Sequence, residues 1–309
     1  MSHLHRPNGT LTHDDDPVLL TPDAAGWTYS GLRVLRLGAG ETRTFTLDGV
    51  EAALLPLSGG VQAEVDGKTY PLAGRASVFA GVTDWLYLPL GSTVRLSADA
   101  ACELAVPTAV ATEAFPVAYV PATEVPVEVR GSGQSTRQLN NFAAPETFAG
   151  AGKLMAVEVL TPDGNWSSYP PHKHDDSPEC DVNLEEIYYF RIGRTGTTEY
   201  APEGFGLHRT YTGDPQGAPG ALDENVTVRD GDVFLIPRGY HGPCVAAPGY
   251  PMYYLNALAG PGGERSMAFC DDPAHHWIRG SWDDQPLDPR CPMTTAADGG
   301  RGDAAVGLG

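Results

Sequence analysis

A chain of 309 residues holds enough apolar side chain for the core of one or two domains of ordinary size. Its formal net charge of −19, without any lysine–arginine cluster, disfavours a nucleic-acid partner, whose phosphates would be repelled. No run of about 18 apolar residues is present, and the opening MSHLHRPNGTLTHDDD lacks an apolar centre, so neither a membrane span nor a secretory signal is expected and the cytoplasm is the expected location.

In chain order, residues 1–26 read as a tail with turns. From Trp27 short β-runs follow at Leu32–Leu37, Glu51–Leu55, Gly60–Val65, Ser77–Val82, Trp85–Leu88 and Ser92–Leu96, and Asp66-Gly67 marks a tight hairpin. Even spacing of short strands with turn residues, in a chain with 37 glycines and 27 prolines, predicts a sandwich or barrel. Residues 116–150, rich in proline, alanine and threonine, read as a linker or crossover with one strand at Val127–Arg130 and a partner-docking segment around Arg137–Phe142. Residues 151–283 repeat the β-theme, with strands at Leu154–Leu160, Trp166–His174, Glu185–Ile192, Gly204–Tyr211, Glu224–Val228, Asp232–Ile236 and Tyr250–Ala259. Long loops at Asp175–Leu184 and Thr212–Asp223 interrupt them, as functional lids do. Residues 284–309, rich in glycine and aspartate, read as a mobile tail.

The five cysteines (Cys102, Cys180, Cys244, Cys270, Cys291) are odd in number and show no CxxC spacing. They read as reduced buried thiols rather than a disulfide framework or a zinc ribbon.

The chemistry concentrates in the second half. In the predicted strand Trp166–His174, residues two apart share a face, so His172 and His174 project together and Lys173 turns away. Glu186 shares a face with Tyr188 and Phe190, and His241 follows the apolar run ending at Ile236. Three imidazoles and a carboxylate suit one borderline divalent ion, with zinc the first choice and manganese or iron the alternatives. His3 and His5 also form HxH, but no strand or spaced carboxylate follows them. No histidine lies between Trp27 and Lys153, which excludes a histidine-built metal site there.

Several segments together carry a family resemblance. GNWSSYPPHKH (Gly164–His174), LEEIYYFR (Leu184–Arg191), Phe205–Thr212, DGDVFLIPRGYH (Asp230–His241) and APGYPMYYLNALAG (Ala247–Gly260) resemble the 5-deoxyglucuronate isomerase family of inositol catabolism. The likeness is densest over residues 151–278 and fainter at Val65-Asp66-Gly67 and Arg75–Pro89. The resemblance implies an all-β fold of two cupin (double-stranded β-helix, or jelly-roll) barrels in tandem, a degenerate one over 27–115 and a metal-binding one over 151–283. His172, His174, Glu186 and His241 fall on the family's metal slots. The interval Asp175–Leu184 is longer than the general cupin pattern, which leaves Glu185 as the alternative to Glu186; Gly239 is followed by one residue, not two, before the histidine.

The implied reaction shifts the carbonyl of an open-chain deoxy-uronic acid from its end carbon to the neighbour, through an enediol or by hydride shift. Tyr254 is the candidate for acid–base work or oxyanion stabilisation, with Asn256 on the same strand face and His208 a further candidate. A cation must hold the substrate carboxylate, and Arg238, Arg209 and, last, Lys173 are the candidates. The partner is thus a small sugar acid, and a homo-oligomer is compatible. A cupin dioxygenase with iron and a non-catalytic sugar-binding cupin are the competing readings.

Overall fold

The computed structural model describes residues 3–175, 180, 182–215, 218–296 and the backbone of 305–306. It consists of two β-barrels packed side by side. In the first, Ser30–Leu37 and Cys102–Val110 pair along their lengths, and Cys102–Val110 pairs in turn with Val50–Val65. Val50–Val65 is long enough to serve two layers. Its first half pairs with Trp85–Leu88 and its second half with Lys68–Arg75 and Thr93–Ser97, with irregularities near Pro56 and Gly59 where it turns the corner. The two strands expected at Glu51–Leu55 and Gly60–Val65 are therefore one, and Ser77–Val82 forms no strand. Leu54, Leu86, Leu96 and Leu104 fill the interior.

The second barrel has a large layer in the order Val233–Ile236, Glu185–Ile192, Met252–Ala259, Met155–Thr161, Arg137–Asn140, Val127–Arg130. Facing it are Asp223–Val228, Gly206–Tyr211 and Tyr240–Ala246, with His172–Lys173 and Cys270–Asp271 beyond. Glu185–Ile192 and Met252–Ala259 are buried along nearly their whole length. One face of this layer lines the second barrel, and the other packs on the first barrel's strands Ser30–Leu37 and Cys102–Val110. A strand covered on both faces reads as a continuous apolar run, which explains the sequence IYYF. Asp223–Val228, at the outer edge, alternates exposed and half-buried residues instead.

Buried charges lock the barrels together. Arg75 of the first pairs with Glu158 of the second, and Glu158 also accepts from Tyr253 Oη at 2.8 Å and Asn140 Nδ2 at 2.9 Å. Arg191 bridges Glu103 and Asp230, the latter at 2.8 Å. Glu51 accepts the backbone N–H groups of Gly152 at 2.9 Å and Leu154 at 2.6 Å.

Three segments differ from expectation. Residues 3–26, expected as a tail, are fastened to the barrels: His5–Arg6 pairs with Val233–Ile236, Val18–Leu20 pairs with Ser30–Leu37, and Leu4, Val18 and Leu20 are buried. A few apolar anchors set among polar residues are enough to fasten it. Residues 116–150 are not merely a linker, because Val127–Arg130 and Arg137–Asn140 form a hairpin of the second barrel's large layer. The stretch from 284 to 296 is tied down by polar contacts, among them Asp288 with Asn165 at 3.0 Å and Thr294 N–H with Gln138 Oε1 at 2.9 Å. Residues 297–304 and 307–309, also part of that expected tail, lie outside the described residues.

The thiols differ too. Cys180 and Cys270 form a disulfide across 90 residues, while Cys102, Cys244 and Cys291 are free. Cys270 pairs with Lys173, and Cys180 Sγ lies 3.4 Å from the Lys173 carbonyl oxygen, so both sulfurs meet at Lys173, a neighbourhood that sequence spacing alone does not reveal. Among the described residues no helix is long and apolar enough to cross a membrane.

Truncating one partner of a buried ion pair strands the other charge. Glu158→Ala should therefore cost about 3–5 kcal/mol of unfolding free energy by urea titration. A loss under about 1 kcal/mol would show that the Arg75–Glu158 pair does not hold the barrels together.

Candidate active site

His172 and His241 stand directly opposite each other on neighbouring antiparallel strands, with ring centroids 4.4 Å apart. The expected continuous strand Trp166–His174 is in fact two short pieces, Trp166–Ser167 and His172–Lys173, with Tyr169-Pro170-Pro171 between them. His174 lies just past the second piece. Its Nδ1 is 2.6 Å from the Ala268 carbonyl oxygen, so Nδ1–H donates there and the Nε2 lone pair is left for the cluster. One ring nitrogen from each of His172, His174 and His241 falls within 4.8 Å of the others.

Glu186 arrives from the facing layer. Its Oε2 is 3.0 Å from His241 Nε2 and 3.8 Å from His174 Nε2. Yet among the described residues Glu186 Oε2 and both ring nitrogens of His241 are buried without an aligned hydrogen bond. Orphaned lone pairs converging in a buried place are expensive unless a cation satisfies them, so the four side chains fit a divalent metal ion. Burial first, then the neighbouring His241 and His174, hold the His172 imidazole well below its ordinary 6.5. Burial also lowers His174, partly opposed by Glu186. Both rings are therefore neutral at neutral pH, the form that ligates.

Glu185, the alternative ligand, is occupied elsewhere. Its carboxylate accepts the backbone N–H groups of Thr28, Tyr29 and Ser30 at 2.8, 2.7 and 2.8 Å. Adjacent glutamates on one strand thus face opposite ways, one into the site and one onto the first barrel.

A cavity of about 530 Å³ opens from the cluster and is lined by Ser168, Tyr188, Tyr254 and Asn256, among others. The Tyr188 and Tyr254 rings lie 4.7 Å apart, and each hydroxyl is 3.0 Å from Ser168 Oγ. Burial pushes both phenols up, so both stay protonated. Asn256 Oδ1 is buried without a partner among the described residues. Ser168 is held close because Gly242, at φ 103°, leaves room where a Cβ would strike the Ser168 carbonyl. His208 sits behind this wall and does not line the cavity. It is buried, with Nδ1 3.1 Å from Cys244 Sγ and Nε2 2.9 Å from Thr210 Oγ1.

The three cations expected to receive a carboxylate lie outside the cavity lining. Arg238 donates to the Gly220 carbonyl, Arg209 pairs with Asp223 at 2.9 Å, and Lys173 lies 3.3 Å from Asp175 with its ammonium over the Tyr240 ring. Strand parity turns Lys173 from the histidines, as expected, and Arg209 is set on the opposite face from His208 and Thr210. The cations that do line the cavity are Arg130, Arg137 and Arg279. Reading 116–150 as a linker hid the first two. The alternation Arg137, Leu139, Asn141 was the available signal, since all three share one face.

The lowered histidines set the pH response of the metal-free chain. Unfolded imidazoles protonate below about 6.5, whereas buried His172 and His174 resist the proton. Their contribution to stability is whole above the unfolded value and is lost as pH falls toward the folded ones. The melting temperature of chelator-treated protein should fall between about pH 7 and pH 5, and His172→Asn should flatten that slope. Equal slopes in the two proteins would refute the burial argument.

Comparisons with known proteins place the chain in a family. A curated 5-deoxy-glucuronate isomerase of Geobacillus kaustophilus is 38% identical over 281 residues, 90% of this chain and 96% of that protein. The crystal structure of an IolB-like protein from Salmonella typhimurium LT2 superposes with a TM-score of 0.79 at 33% identity, covering 90% of this chain and 99% of the other. Lactobacillus farciminis oxalate decarboxylase shares the two-barrel cupin fold at a TM-score of 0.60 and 10% identity, covering 88% of this chain and 89% of the other. The model of the KduI/IolB family matches residues 4–278, and the chain belongs to that family.

Proposed function

We propose that this protein is a metal-dependent aldose–ketose isomerase that converts 5-deoxy-glucuronate to 5-dehydro-2-deoxy-gluconate in the cytoplasmic breakdown of myo-inositol. The observation that carries the reading is the convergence of Glu186 with His172, His174 and His241 at a cavity lined with hydroxyls. The names of the relatives support the choice of substrate.

The four side chains would hold one divalent ion, zinc by preference of the donor set, with manganese or iron as alternatives. When bound, that ion supplies a Lewis acid that polarises the substrate carbonyl and orients the neighbouring hydroxyl.

The remaining work belongs to the chain. Isomerisation, by enediol or by hydride shift, moves one hydrogen from C2 to C1, while one proton passes from the C2 oxygen to the C1 oxygen. A phenol held protonated by burial is a donor rather than a base, so Tyr254 gives its hydrogen bond to the substrate oxygen that gains negative charge. Ser168 aligns that hydroxyl and links it to Tyr188, so a proton lost by Tyr254 can be replaced from its neighbour. Asn256 Oδ1 accepts from a substrate hydroxyl. The aromatic walls exclude water, which strengthens each of these contacts.

Loss of an outer-shell partner alone costs about 10–100-fold, so His174→Ala should lower both metal content and isomerase activity at least about 100-fold with circular dichroism unchanged. A metal-free mutant with full turnover would defeat the assignment. Tyr254→Phe should lower kcat about 100-fold while metal content stays at the wild-type level. A fall in melting temperature with kcat intact would make Tyr254 a packing residue instead.

A further inference from the structure

Arg137 is a buried guanidinium without an anion. It is 5% exposed and lines the same cavity as the histidines. Its Nη1 donates to the Ser135 carbonyl at 3.1 Å, and its Cζ lies 5.4 Å from the centre of the Trp282 ring. Among the described residues no carboxylate comes within ion-pair distance of it.

The other two arginines of the cavity are already neutralised. Arg130 forms a two-pronged pair with Glu128 at 2.7 and 2.9 Å, and Arg279 does the same with Asp271 at 2.5 and 2.8 Å. Glu146, also on the lining, is exposed at its rim. Burial, then the nearby charges of Arg130 and Arg279, push the Arg137 guanidinium down to about 9, against a smaller opposing pull from Tyr254 and Glu128. A charge in that condition is costly until an anion arrives, and a planar carboxylate matches its free donors.

Strand register says which end of a ligand would meet it. Leu139, Val159, Tyr254 and Phe190 lie on one rung of the large layer. Glu186, opposite Leu258, is two rungs of the same face to one side, and Arg137 is one rung to the other. Tyr254 therefore stands between the metal-ligating carboxylate and the unpaired guanidinium. A linear acid spanning the cavity would put its reacting end at the histidines and its far end at Arg137.

We propose that Arg137 receives the terminal carboxylate of the substrate, so that the cavity selects an open-chain acid and fixes which end reaches the histidines. This rests on the isomerase reading and adds to it the residue that sets substrate charge and direction.

The test compares 5-deoxy-glucuronate with the corresponding neutral 5-deoxy-hexose on metal-loaded wild type, Arg137→Lys and Arg137→Met. The Met variant should lose about 10- to 100-fold in kcat/KM on the acid, mostly through KM, while its activity on the neutral sugar stays within about twofold of wild type. Arg137→Lys should fall between, keeping charge without the fork. Equal losses on both sugars, or none on either, would overturn the proposal. A second readout needs no turnover and no folded variant. Metal-free wild type, titrated calorimetrically with gluconate and with sorbitol, should bind the acid in preference, and equal binding would count against an anion receptor. Wild type inert on the acid while this preference survives would overturn the isomerase reading and leave Arg137 as an anion site.

Discussion

The structure turns on one awkward placement, the Glu186 carboxylate buried beside His241 and His174 with an oxygen that receives no aligned hydrogen bond among the described residues. A buried carboxylate without aligned donors costs several kcal/mol unless a cation compensates it. The three imidazoles come from one layer of the second barrel and Glu186 from the facing layer, so an ion there would also fasten the layers at their mouth. Metal affinity and barrel closure are then one free energy, as in metal sites whose ligands are assembled by folding.

The first barrel has no histidine site of its own, yet it acts on the second through alternate residues of shared strands. Glu185 reaches the backbone of Thr28–Ser30, and its neighbour Glu186 reaches the histidines. Tyr253 contacts the Arg75–Glu158 pair at the interface, and its neighbour Tyr254 faces the cavity. Because strand side chains alternate, fixing one set against the first barrel fixes the phase of the other. A one-residue slip would exchange Glu185 for Glu186 and Tyr253 for Tyr254, burying the wrong groups in both places. The first barrel thus serves as the template that keeps Glu186 and Tyr254 turned toward the cavity.

Much of this was legible in the chain. The spacing of His172, His174, Glu186 and His241 singles out four side chains that the structure brings together, and period-2 parity puts Tyr254 and Asn256 on one face, which lines the cavity, and turns Lys173 from the histidines. What stayed hidden depended on partners distant in sequence. Arg137 looks like part of a proline-rich connector until its strand pairs with Met155–Thr161. Cys180 and Cys270 look like isolated thiols until Cys270 pairs with Lys173. Leu4, Val18 and Leu20 are too few to give a periodic signal, and it is the neighbouring strands that order them. Arg209 and Arg238 were plausible by nearness in sequence to the histidines, but strand parity and a turn direct them to the surface.

X-ray absorption at the edge of the metal bound by the purified protein tests the central claim most directly. One ion per chain, surrounded by nitrogen and oxygen alone and with the scattering of three imidazoles, is the expected result. A sulfur neighbour, or fewer than two imidazoles, would mean that the ion sits elsewhere and that Glu186 and the histidines meet for another reason.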